Sequence, residues 1–80
     1  FGIATTVRYL LPAPEPLEIT VYDPAGRRVR KLLSGPQPAG EGSVTWDGRN
    51  DDGEAVSSGV YFYRVVSPDL QREGRLLVVR

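Results

Sequence analysis

The stretch Val44–Val66, VTWDGRNDDGEAVSSGVYFYRVV, decides the fold class. It holds the single Trp of the chain, a connection built largely of Gly, Asp and Asn, and the densest aromatic run. Val44 and Trp46 alternate with polar neighbours, and Tyr61, Tyr63 and Val65 recur at the same period of two beyond the connection. Period-two alternation on both sides of a polar loop predicts two strands that aim large side chains into one core. A Trp and two Tyr bury far more area than aliphatic residues do, so they should dominate that core.

Working outward, Thr5, Val7, Tyr9 and Leu11 fall on one face of a first strand, with Ile3 before them and Thr6 and Arg8 on the other face. Pro12, Pro14 and Pro16 cannot donate to a ladder and should end it. Leu17, Ile19 and Val21 then alternate with Glu18, Thr20 and Tyr22 as a second strand with one wet face. Asp23-Pro24-Ala25-Gly26 fits a type I turn, with Asp at its first position, Pro presetting φ at the second and Gly at the fourth. In the next run, RRVRKLL, Leu32 breaks the alternation, as a bulge or a frayed edge strand would. A helix there would be too short to stand alone. By composition Ser34–Gly42 is a loop, and Ala55–Val56 marks a brief extended piece. Val60–Val66 and Leu76–Val79 complete the set, joined by Ser67-Pro68-Asp69, and the apolar LLVV should be covered on both faces or extend a central pairing. The expected core is Val7, Tyr9, Ile19, Val21, Val44, Trp46, Tyr61, Tyr63 and Val65. Strands this short and regularly spaced, with no long helix, predict an all-β, immunoglobulin-like (fibronectin type III-like) antiparallel β-sandwich of about seven strands.

Composition excludes more than it assigns. The 80 residues make one small domain. With no Cys there is no disulfide or thiolate site, and with no His the commonest general base and metal ligand is missing. Ten basic and ten acidic residues cancel, so no net field steers the chain toward nucleic acid or anionic lipid. No apolar run reaches the length of a membrane span.

Asp47, Asp51, Asp52 and Glu54 invite a calcium reading, since hard cations take several oxygens. EF-hand spacing fails, because placing Gly53 at the sixth loop position puts Gly48 at the first and Gly59 at the twelfth. Turn capping by Asp and Asn is the favoured explanation, so no metal and no cofactor is assigned. Arg27, Arg28, Arg30 and Lys31 form a basic cluster better suited to protecting an edge strand or facing a protein partner than to nucleic acid. Tyr22 and Phe62 fall on the outward side and raise a weaker polysaccharide-binding alternative. Ser57 and Ser58 have no base to activate them, and Lys31 with Asn50 is a poor pair for a crosslink, so no catalytic residue is assigned.

Taken together, FGIATTVRYLLP, LEITVYDPAGRRVRKL, PAGEGSVTWDGRNDDGEAVSSGVYFYRV and GRLLVVR resemble the FlgD-type immunoglobulin-like domain. That family includes the outer domain of the flagellar hook-capping protein and the similar C-terminal sorting domains of type IX secretion. Phe1-Gly2 stands where the second half of the family's opening Asn-Pro-Phe-Asn segment falls. The resemblance implies a non-catalytic module, expected to be the C-terminal domain of a longer exported bacterial protein, at the cell surface or outside the cell after passing through the periplasm. Its expected partners are secretion or surface-attachment machinery and an upstream domain of the same chain. Residues expected to be recognised lie on the last strand: Arg75, Leu77, Val79 and Arg80. The alternative role is a structural spacer or a hook-cap-type assembly domain.

Overall fold

The computed structural model describes residues 5–68 and 70–79. Phe1, Gly2, Ile3, Asp69 and Arg80, which figure in the expectations above, lie outside the described residues. The strands are β1 (Thr5–Leu11), β2 (Glu15–Tyr22), β3 (Arg28–Gln37), β4 (Gly40–Trp46), β5 (Gly59–Ser67) and β6 (Leu70–Val78). They form two antiparallel sheets, β1-β4 and β3-β2-β5-β6. The all-β, immunoglobulin-like sandwich is therefore present, with six strands among the described residues rather than seven. The piece expected at Ala55–Val56 is reduced to a single bridge, Arg49 to Ala55.

Alternation sets which faces meet. Val7, Leu11, Leu17, Ile19, Val21, Trp46, Tyr61, Val65, Leu76 and Val78 are buried in one cluster. Tyr9, Val44 and Tyr63 are half-buried against it. The Trp46 and Tyr61 rings meet edge to face, with centroids 5.4 Å apart and planes at 71°. Complete burial of Trp46 contributes about 4–6 kcal/mol gross, from ~150–250 Å² at ~25 cal/mol per Å².

Three expectations are corrected. Most of the segment Ser34–Gly42 is strand, not loop: β3 continues to Gln37 and β4 begins at Gly40. Its Gly and Pro content suggested a loop, but Pro36 sits on an edge strand opposite Pro16, where β5 has not yet joined β2. A missing N–H is tolerated at such a position. Second, β6 starts at Leu70 and forms the edge of its sheet, so LLVV is not covered on both sides. Leu76 and Val78 are buried, while Leu77 is 60% and Val79 51% exposed. Third, Thr20 is buried rather than wet, between its cross-strand partners Lys31 and Arg64. The long side chains of those neighbours shield it from water.

The irregularity at Leu32 is a bulge on an edge strand. Register passes from Ile19–Leu33 to Thr20–Lys31, leaving Leu32 without a partner, and a second shift leaves out Val29. Bulging re-aims both side chains, so Val29, Leu32 and Leu33 all pack against the core.

Candidate functional site

Two regions of the fold collect the residues singled out above: the long connection after β4, and the outer face of β5 and β6. The connection is held by its own hydrogen bonds. Trp46 Nε1 donates to the Arg49 carbonyl at 2.8 Å, tying the loop to the core. Asn50 then organises a five-residue turn. Its Oδ1 accepts from the backbone N–H of Asp52 (2.9 Å) and of Glu54 (3.0 Å), while its carbonyl accepts from Gly53. Asp23 builds the same turn between β2 and β3: Oδ1 accepts from Ala25 (3.0 Å) and Arg27 (2.9 Å), and the carbonyl accepts from Gly26. Gly26 and Gly53 occupy equivalent left-handed positions, at φ 88° and 82°. The Arg27 backbone N–H holds the Asp23 carboxyl below its ordinary value; partial desolvation opposes this, and the Arg27 charge and Ala25 N–H reinforce it.

The acidic loop is thus a built turn, and Asp51 docks it onto β3. The Asp51 N–H donates to the Val29 carbonyl, and Asp51 Oδ1 accepts from the Lys31 N–H at 3.0 Å. Asp51 Oδ2 pairs with Arg28 at 3.1 Å. Asp47 Oδ1 accepts from the Arg49 N–H and lies 3.9 Å from Arg30. Among the described residues no three acidic groups converge as metal ligands. Asp52 and Glu54 are exposed on the turn, where capping needs only their backbone amides. The basic cluster is matched charge for charge: Arg27 to Asp23, Arg28 to Asp51, Arg30 to Asp47, and Lys31 to Glu18 at 3.9 Å. Exposed pairs of this kind add little stability, but they leave no concentrated positive field. Lys31 Nζ is at Glu18 and Asn50 is engaged in its turn, so the two are not arranged for a crosslink. Ser57 and Ser58 are exposed, and the Ser57 carbonyl accepts from the Tyr61 hydroxyl at 2.8 Å.

The aromatic residues are mostly committed to packing. Trp46 and Tyr61 are buried, and Tyr9 and Tyr63 lie over Gly42 and Gly74, their cross-strand partners. Tyr22 faces Phe62 across the strands and carries the Arg64 guanidinium over its ring, 5.6 Å from the centroid. Phe62 alone of these presents much surface, at 38%. It joins Val60, Leu77 and Val79 in a row of exposed apolar residues at one end of the outer face, with Arg75 directly opposite Phe62. The resemblance marked Arg75, Leu77 and Val79 for recognition, although the run LLVV on its own read as covered, and Val60 and Glu73, which share that face, were not singled out. Val60 was legible as the next position in step with Phe62. Glu73 was not, because β6 was expected to begin after it.

The fold has close counterparts among solved structures. FlgD from P. aeruginosa matches with a TM-score of 0.72 at 24% identity, over 95% of this chain and 60% of that one. FlgD from Xanthomonas campestris, whose structure is described as giving insight into the hook capping essential for flagellar assembly, matches with a TM-score of 0.71 at 21% identity, over 94% of this chain and 55% of that one. The chain therefore spans somewhat over half the length of these two proteins. No curated protein sequence matches it significantly. The family model of the FlgD Ig-like domain matches residues 2–69, and the chain belongs to that family.

Proposed function

We propose that this domain is a non-catalytic assembly module of the hook-cap type, presenting a folded surface within an exported bacterial structure. The observation that carries this reading is family membership over residues 2–69. The likeness of nearly the whole chain to two FlgD structures supports it. The chemistry of the surface agrees with a packing role. The charged groups of β3 and of the turns beside it are spent on capping and mutual pairs, and the exposed apolar residues lie on a rigid sheet rather than in a cleft. A module of this kind works beside an upstream domain, outside the cytoplasmic membrane.

The sorting reading, with Arg75, Leu77, Val79 and Arg80 as the address, rests on the sequence resemblance, and the FlgD comparisons favour assembly over it. One pair of experiments separates the two. The domain is grafted in place of the corresponding domain of FlgD in a flagellated bacterium, and separately fused to a periplasmic reporter in a bacterium with a type IX system. Hook assembly with the graft and a reporter retained in the periplasm is the expected result. A reporter that reaches the surface, and loses that ability on deletion of Leu76–Arg80, would replace assembly with sorting.

A further inference from the structure

We propose that the free edge of β6 is a self-association surface. Two copies of the chain pair antiparallel there across a two-fold axis at Gly74, joining their four-stranded sheets into one. The two edges of the sheet are treated differently. On β3 the edge is bulged twice and capped by the Asn50 turn through Asp51. On β6 the strand runs nine residues in unbroken register with β5, from Leu70 opposite Ser67 to Val78 opposite Gly59. No described strand lies on its other side. An edge of this length and regularity offers a row of backbone donors and acceptors to another strand.

The occupant is identified by the edge's own sequence, which is complementary to itself about Gly74. With Gly74 opposite Gly74 of the second copy, Glu73 faces Arg75 of that copy, and Arg75 faces its Glu73. Leu70 falls opposite Val78, and Gln71 opposite Leu77. Directly opposed side chains sit about 4.5–5.5 Å apart between Cβ atoms, while the like charges fall on the more distant diagonals. Glu73 already holds Arg64 at 2.9 Å and keeps 61% of its side chain exposed, so it can accept a second guanidinium. Arg75 is exposed and has no acidic partner among the described residues. Arg72 meets Leu76, where its aliphatic stem covers the Leu and its head stays in water. A single shared strand edge is a small interface, so association is weak and concentration-dependent. The arrangement is isologous, as closed dimers are, and it does not depend on the assembly reading above.

Sedimentation equilibrium of the 80-residue chain, from low micromolar to millimolar, is expected to show a monomer–dimer equilibrium. Arg75→Glu and Glu73→Arg each set like charges against each other at both symmetry-related pairs, and each alone should self-associate about tenfold more weakly or worse. Mixed together, the two variants restore complementarity and should form a heterodimer. Near-ultraviolet circular dichroism of Trp46 checks folding, and Glu73→Gln replaces Glu73→Arg as a milder loss of charge if the latter does not fold. A chain that stays monomeric throughout overturns the proposal. So does self-association unchanged by Arg75→Glu.

Discussion

The Tyr9–Gly42 pair offers the sharpest test of the packing described here, because the structure predicts a change of sign. Gly42 sits in β4 directly opposite Tyr9, whose ring lies over it, and a Cβ added at Gly42 would come under 3.0 Å from ring atoms of Tyr9. The Gly42 backbone itself is not left-handed, and the atoms nearest to an added Cβ all belong to the Tyr9 side chain. Replacing Gly by Ala in a strand ordinarily gains about 0.5–1 kcal/mol from reduced freedom of the unfolded chain. Here the ring must swing off the strand and give up its half-buried packing, an overpacking cost of about 1–3 kcal/mol. Gly42→Ala should therefore lose about 0.5–2 kcal/mol in the native background. In a Tyr9→Ala background the same substitution should gain about 0.5–1 kcal/mol, a coupling of about 1–3 kcal/mol between directly opposed residues. Urea unfolding followed by Trp46 fluorescence measures all four members of the cycle. A neutral or stabilising Gly42→Ala in the native background would refute the ring placement.

Gly74→Ala, beneath Tyr63, should behave in the same way, with Tyr63→Ala as its relieving partner. Tyr61→Phe keeps the ring against Trp46 but removes the bond to the Ser57 carbonyl, and should cost about 1 kcal/mol in the same urea assay. Asn50→Ala removes the acceptor for two backbone amides and should cost about 1–2 kcal/mol, whereas Asn50→Asp, copying the Asp23 turn, should stay within about 0.5 kcal/mol. The carboxyl of Asp23 titrates below its ordinary value in the folded chain, so its contribution is present above the unfolded value of 3.8 and fades as pH falls through the lower folded value. Asp23→Asn should preserve the turn and flatten that part of the acid unfolding curve; an unchanged curve would show that the shift does not bear on stability.

Much of the fold was legible because a strand's side-chain period is two, and one buried face is enough to reveal it. Val7, Ile19, Val21, Trp46, Tyr61 and Val65 could be read as inward without knowing what they meet. Turn chemistry was equally local. Asp23 and Asn50 cap their own backbone within four residues, so their type and spacing carried the message. Even the break at Leu32, readable as a bulge or a frayed edge strand, left its mark, since an extra residue disturbs the alternation in the sequence itself.

What the sequence by itself determined is the alternation of each strand, the position of the turns and the lack of any His- or Cys-based site. Pairing between distant strands was decided only by tertiary structure. Gly35 and Pro36 look like loop residues until β2 lies beside them, and Leu77 and Val79 look like core until β6 proves to be an edge. Tyr9 over Gly42 joins positions 33 residues apart, and Asp51 on β3 joins the loop to a strand formed some 20 residues earlier. Such contacts depend on which surfaces close over which. Local propensity does not encode that choice, because the free energy of a long-range pair appears only once the whole sandwich has assembled.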